Sequence, residues 1–320
     1  MSDNHHHGHE HDHDHEDVFH SHAPIGKMKL AFFLTLIILI VELIGGFISH
    51  SLALLSDAGH VVTDIAAIGL AWYAMHQSQK PASEKFTYGY HRSGILAAFV
   101  NAMALIVIAV VILYEAIDRF KNPEPVGSTW MFISASVGLV MNLYLGLGLN
   151  KEDNINVKSA VLHMIGDALA SAGVIVGGII ILLTGWYIVD PILSVLIAIL
   201  IAFGAWKIVK QTISILMEGT PRGISLEEII AEIRSNNGVL NVHDLHVWSI
   251  TSGKNALSCH VVLNNQISFQ ESQVILREIE HKLQHLGIGH ATIQMENEQH
   301  PHDESAVCSR ENKHEHEHHH

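Results

Sequence analysis

LALLSDAGHVVTDIAAIGLAWYAM, residues 52–75, is apolar enough to cross a bilayer, yet it carries His60 and Asp64 four residues apart. About 20 mainly apolar residues span the ~30 Å hydrocarbon core, and an ionisable group at that depth is costly and by default marks an ion pathway. A helix turns once per ~3.6 residues, so both side chains lie on one face, one above the other. The same pair recurs as His163 and Asp167 in AVLHMIGDALASAGVIVGGIIILLTG, residues 160–185. Two such faces turned toward each other offer four nitrogen and oxygen ligands. Tetrahedral zinc takes such a set, and imidazole nitrogen favours Zn, Co or Ni over the harder Mg and Ca.

Working outward, further apolar stretches lie at 29–49, 93–117, 128–149 and 187–208, beside the histidine-bearing ones at 52–75 and 156–183. The fold class expected is an α-helical membrane protein with six transmembrane helices across residues 27–210. A mean hydropathy of +0.27, with only 16% charged residues in 320, is too apolar for an ordinary soluble protein. The two histidine-bearing segments are the least greasy, as befits helices facing a polar interior. With the N-terminus inside, Lys27, Lys29, Lys80, Lys85, Arg92, Lys151, Lys158, Lys207, Lys210 and Arg222 all fall on the inner side, and only Arg119 and Lys121 fall outside. The excess of basic residues therefore puts both termini of an integral membrane protein in the cytoplasm; the membrane expected is a bacterial inner (plasma) membrane. The first 24 residues are acidic and histidine-rich, and the first apolar run is long enough to remain as a helix, so no cleavable signal peptide is expected.

The formal charge of −14 comes largely from the two tails and excludes nucleic acid as a partner. Cys259 and Cys308 are too few for a disulfide framework, and both would face the reducing cytoplasm. The tails, 1–26 and 299–320, lack the apolar residues to build a core and read as disordered. Their histidines are interrupted by Asp and Glu, unlike the unbroken run of an engineered tag, and suit weak collection of zinc.

From residue 211 to 298 the character changes to a small cytoplasmic domain. Ser225 followed by Glu228 reads as a capping box opening a helix to about Ser235. VLNVHDLHVWSI (239–250) and ALSCHVVLN (256–264) read as strands around a turn at 251–255. Phe269 to Leu286 has helical spacing and stops at Gly287, and HATIQMEN (290–297) is a third strand. This α-β-β-α-β order predicts a two-layer, ferredoxin-like α+β domain. Simple alternation puts His243 and Leu245 on one face and turns His246 away. His243 and His260 lie on neighbouring strands, within reach of a shared ion.

Taken together, SLALLSDAGHVVTD (51–64), FTYGYHR (86–92), the second His-x-x-x-Asp at 163–167, DPILSVLIA (190–198), LMEGTPRGI (216–224), VHDLHVWSITSG (242–253) and TIQMEN (292–297) resemble the cation diffusion facilitator family, especially its zinc, cobalt and cadmium resistance branch. The resemblance implies a homodimer with six membrane helices and a cytoplasmic metal-binding domain, exporting divalent metal in exchange for protons. It implies that His60, Asp64, His163 and Asp167 form the transport site and that His243, His260 and Glu296 bind zinc at the dimer interface. His246, Cys259 and His290 are supplementary candidates there, and Gln294 stands where some relatives have histidine. Some members carry another metal site in the loop written here as KPASEKFTYGYHR (80–92); only His91 remains of it, and Phe86, Tyr88 and Tyr90 read as an interfacial anchor or packing patch.

Zinc is thus expected as the transported substrate, with cadmium and cobalt as further cargo, and as a regulatory ligand. Neutral histidine and ionised carboxylate must be deprotonated to bind metal, so protons compete for the site, near the unperturbed histidine pKa of ~6.5. Asp57, three residues before His60, is a candidate for orienting it or for passing protons. Glu42, Asn101, Asn142 and Asp190 are further polar groups at depth, lining the same cavity or bonded to a neighbour, and Asp190-Pro191 reads as a helix start. An intramembrane metalloenzyme is disfavoured: no H-E-x-x-H occurs, and four ligands close the tetrahedron. A membrane-anchored zinc sensor leaves the buried pairs unexplained, and a passive channel is separated by whether a pH gradient drives flux.

Overall fold

Six long helices follow from the six apolar runs in the computed structural model, which describes residues 25–149 and 155–298. The two histidine-rich tails, Cys308 and Lys151 lie outside the described residues. The helices are α1 (Ile25–Ser49), α2 (Leu52–Ser78), α3 (Ser93–Lys121), α4 (Ser128–Leu149), α5 (Ile155–Thr184) and α6 (Val189–Leu216). All six are long and apolar enough to cross a membrane. Small and medium residues fill the interior, among them Ala53, Leu54, Ala109, Met131, Val174 and Ala198. Large apolar side chains point outward, including Trp72, Tyr114, Leu183 and Phe203. A continuous apolar exterior of this kind suits lipid as its solvent.

Close helix packing depends on glycine at two contacts. A Cβ on Gly45 of α1 would sit 1.8 Å from Ser134 Oγ of α4, and one on Gly177 of α5 would sit 2.2 Å from Leu193 Cδ1 of α6. Without a side chain at Gly45 the α1 and α4 backbones approach, and at Gly177 α5 leaves room for the Leu193 side chain of α6, so van der Waals contact replaces the hydrophobic drive that lipid does not supply.

The α1–α2 corner sets where α2 begins. His50 takes a left-handed φ of 56° and its carbonyl accepts from Arg119 Nη1. Ser51 then caps α2, its hydroxyl accepting from Leu54 N at 3.2 Å. Asp190, expected as a helix start, does lie in the first turn of α6. Its carboxylate also completes the α2 cap, accepting Ser51 Oγ at 2.5 Å, Leu52 N at 2.7 Å and Ala53 N at 3.3 Å, with Arg119 Nη1 3.7 Å away. Asp190 therefore neutralises the positive end of α2 rather than lining a cavity with His60. Between α2 and α3, the Phe86 and Tyr90 rings pack 4.7 Å apart with Lys80 Nζ 5.9 Å from the Tyr90 ring, a packing patch.

The chain divides after Ile213, and the C-terminal unit is described by itself. It comprises α7 (Leu226–Arg234), β1 (Val239–Thr251), β2 (Lys254–Leu263), α8 (Phe269–His285) and β3 (Ile288–Asn297). The expected α-β-β-α-β order is observed. β2 lies between β1, antiparallel to it, and β3, parallel to it. One face of the sheet meets the helices: Val242, Leu245, Val247, Leu257, Cys259 and Val261 pack with Ile229, Ile233, Ile275, Ile279 and Leu283.

Two local expectations need correction here. At Ser225 only the serine half of a capping box forms, its hydroxyl accepting from Glu228 N at 3.3 Å. The full box sits instead on α8, where Ser268 Oγ accepts Glu271 N and the Glu271 carboxylate accepts Ser268 N at 2.8 Å. Simple alternation along β1 also fails. The register shifts between His243 and His246, and Asp244 takes a left-handed φ of 48°. This bulge turns Leu245 into the core beside Val242 and leaves His243 and His246 together on the face opposite the helices.

Candidate metal centres

His60 and Asp64 on α2 meet His163 and Asp167 on α5. Two spans, α3 and α4, lie between the two helices, so they cross in opposite senses, and each histidine meets the carboxylate of the other helix. His60 Nε2 lies 3.5 Å from Asp167 Oδ1, and His163 Nε2 lies 3.3 Å from Asp64 Oδ2. The pairs within one helix are slightly wider, 3.8 Å for His60–Asp64 and 3.7 Å for His163–Asp167. Ligands about 2.0 Å from a tetrahedral zinc sit about 3.3 Å from one another. The separations from the two imidazoles to Asp64 Oδ2, 3.3 and 3.8 Å, lie near such an edge, whereas Asp167 meets His60 through Oδ1 and His163 through Oδ2; the imidazole rings meet edge to face at 5.7 Å between centroids. The nearest ligand atoms of His60, Asp64 and His163 all lie within 4.8 Å of one another. His60 Nδ1 is buried with no hydrogen-bond partner among the described residues. A set of two neutral imidazoles and two carboxylates is equally a host for a dication or for protons.

Asp57 is buried, but it makes no hydrogen bond to His60; its Oδ2 accepts from Ser171 Oγ of α5 at 3.4 Å. Glu42 of α1 is 1% exposed with neither carboxylate oxygen hydrogen-bonded, lying against Gly138, where a Cβ would come within 2.6 Å of its Oε1. Asn142 is buried on α4 and Asn101 half-buried on α3; no described hydrogen bond joins either to the four residues.

The second group lies on the bare face of the sheet. His243 and His260 are directly paired across β1 and β2, their rings 5.1 Å apart. Glu296 on β3 reaches both: Oε2 is 3.0 Å from His243 Nε2 and Oε1 is 2.9 Å from His260 Nδ1. His243 and Glu296 are buried, and a carboxylate out of water needs partners of this kind. The donor set, two imidazole nitrogens and a carboxylate in mutual reach, suits zinc and leaves a fourth position open. Gln294 holds the carboxylate in place, donating from Nε2 to Glu296 Oε1 at 2.8 Å.

The three supplementary candidates are placed differently. Cys259 faces the helices, 1% exposed, and burial, with Asp244 nearby, pushes its thiol up to about 12. His290 shares Glu296's face but stands six residues along β3, about 20 Å away. His246 is on the correct face and bonds Asp244 Oδ1 at 3.1 Å. Among the described residues no third group of three such side chains comes together, and the 80–92 loop contributes none. Sequence reasoning missed Asp244, whose only signal is an Asp between two histidines, and the cap role of Asp190, which depends on a contact 139 residues away.

Comparison with known proteins accords with both units. The family profile described as cation efflux transmembrane domain matches residues 28–217, and that described as cation efflux protein, cytoplasmic domain matches residues 221–298. A cadmium, cobalt and zinc/H(+)-K(+) antiporter of Bacillus subtilis is 46% identical over 88% of this chain and 92% of its own length. The metal cation efflux system protein CzcD of Cupriavidus metallidurans is 41% identical over 87% of this chain and 89% of its own. The zinc transporter ZitB of Escherichia coli is 41% identical over 84% and 87%. With both of its units matched, one for the membrane helices and one for the domain that follows, this chain belongs to the cation diffusion facilitator, or cation efflux, family.

Proposed function

We propose that this protein is a secondary active transporter, not an enzyme, that exports zinc, and also cadmium and cobalt, from the cytoplasm in exchange for protons. The observation that carries the reading is the near-equal set of four His–Asp separations, 3.3 to 3.8 Å, between α2 and α5. His60 and His163 supply nitrogen that a transition metal prefers, and Asp64 and Asp167 supply the charge that offsets the dication. Each of these groups must give up or lack a proton to bind metal, so loading and protonation are alternative states of one site. Proton arrival at the opposite face then opens a set that would otherwise hold zinc as a closed structural site does.

Among the relatives, the Escherichia coli protein is named for zinc and the Bacillus subtilis protein as a cadmium, cobalt and zinc/H(+)-K(+) antiporter, which supports the cargo and the proton as counter-ion. The basic-residue bias supports cytoplasmic termini in a plasma membrane. The match of the C-terminal unit to the family's cytoplasmic domain supports a homodimer joined there. In that arrangement His243, His260 and Glu296 bind cytoplasmic zinc as a regulatory ligand and tighten the two domains.

The test is zinc flux in proteoliposomes. His60→Ala and Asp167→Ala each remove one of four ligands and are expected to abolish proton-coupled zinc transport. Proton-dependent flux retained in both variants would overturn the assignment, and zinc binding without any flux in the wild type would favour a membrane-anchored sensor.

A further inference from the structure

Asp244 stands where the chain leaves its regular path. It occupies the β1 bulge with φ 48°, a conformation uncommon outside glycine but tolerated by Asp and Asn. The bulge aims its carboxylate along the face of the sheet between two imidazoles. Oδ1 lies 3.1 Å from His246 Nε2, and Oδ2 lies 3.7 Å from His260 Nε2. Those contacts extend the second centre into a chain running His246, Asp244, His260, Glu296, His243.

The position of the His260 proton decides what this chain does. Nδ1 faces Glu296 at 2.9 Å, the spacing of a ring N–H donating to a carboxylate. An imidazole that carries its proton on Nδ1 cannot offer that nitrogen to a cation. For His260 to bind metal beside His243 and Glu296, the proton must reside on Nε2, the nitrogen that Asp244 faces. At 3.7 Å the Asp244 contact is an ion-pair separation, and a modest rotation of the carboxylate completes the hydrogen bond. Metal-bound histidines nearly always donate their other ring N–H to a carboxylate, carbonyl or water, and losing that partner typically lowers metal affinity 10- to 100-fold.

We propose that Asp244 is a positioning residue for this centre: held by His246, its carboxylate accepts the Nε2–H of His260 and so presents Nδ1 to the cation. The inference rests on the reading of His243, His260 and Glu296 as a zinc site. It adds a fourth, non-ligating residue whose place in the chain is set by a backbone irregularity.

The experiment uses the full-length protein in nanodiscs, with zinc as the probe and diethyl pyrocarbonate labelling of each histidine quantified by peptide mass spectrometry, so the tail histidines are resolved separately. Asp244→Gly keeps the left-handed backbone without strain and removes only the carboxylate. It is expected to raise the zinc concentration that half-protects His243 and His260 by about 10- to 100-fold, with protection of His60 and His163 unmoved. Asp244→Asn, which tolerates the same φ and keeps an acceptor oxygen, is expected to recover most of that loss. A Gly variant within twofold of the wild type, or an Asn variant as weak as the Gly variant, would overturn the proposal. If zinc fails to protect His243 and His260 in the wild type, the zinc-site reading itself is wrong and this inference falls with it.

Discussion

At the scale of single residues, position relative to the sheet and the helix ends governs what each polar group can do. Cys259 and His260 are neighbours in sequence, yet one faces the helix-covered core and the other the bare face. Burial raises the Cys259 thiol from 9.0 to about 12. An acid whose folded value is raised favours the folded state's proton, so stability is intact below about pH 9 and declines as the pH climbs toward 12, where only the unfolded chain ionises. In a Cys308→Ser background, Cys259 is therefore expected to resist iodoacetamide at pH 8 and to react readily once the protein is denatured; labelling at the denatured rate in the folded protein would contradict this burial. Asp190 presents the opposite case, a carboxylate whose three acceptor contacts hold the start of α2. Asp190→Ala leaves the buried Leu52 and Ala53 amides without their acceptor, while Arg119 keeps the His50 carbonyl and Glu115, and should cost about 1–3 kcal/mol for each amide. The melting temperature of the detergent-solubilised protein is the check, and an unchanged value would refute the cap role.

At the scale of elements, helix termini carry local rules that sequence spacing exposes only in part. The capping box on α8 holds Glu271 below the usual carboxylate range, chiefly through the Ser268 hydroxyl and then the Ser268 N–H. A carboxylate with a lowered folded value adds stability above its unfolded pKa of ~4.3 and loses it as the pH falls through the folded value. The melting gap between wild type and Glu271→Gln should accordingly be present at pH 7 and close as the pH falls through that lowered value; a gap that persists unchanged into acid would show that the charge plays no part. The order of the elements, the six spans and the placing of each His-x-x-x-Asp pair on one helix face were legible because each rests on short-range periodicity; that the two faces form one site was an expectation from the family resemblance. Three features were not. The β1 bulge hides from period-2 alternation because nothing in HDLHV announces an unpaired residue. The capping residues at Ser225 and Ser268 share the Ser-x-x-Glu spacing, and only tertiary context decides which completes its box. Asp190 reads locally as a helix start because its partners lie on another helix.

At the scale of the whole molecule, a unit of six membrane-length helices and a smaller α+β unit that carries a His–His–Glu group are joined in one chain of the cation efflux family. The first centre is built from two helices that each bring a nitrogen and an oxygen, so neither helix alone can hold a cation. In the transport proposed above, the same groups that hold the cation also take up protons, which would couple cargo to counter-ion without a further device. The second centre draws one residue from each strand of the sheet. In the proposed transport cycle Asp64, His60, His163 and Asp167 bind zinc and protons in alternation. Zinc uptake into inside-out vesicles under an imposed pH gradient, wild type against Asp64→Ala, tests it most directly. Uptake in the wild type should run uphill and depend on the gradient, with none above background in the variant; equal gradient-driven uptake in both, or wild-type uptake indifferent to the gradient, would rule out proton-coupled transport at Asp64.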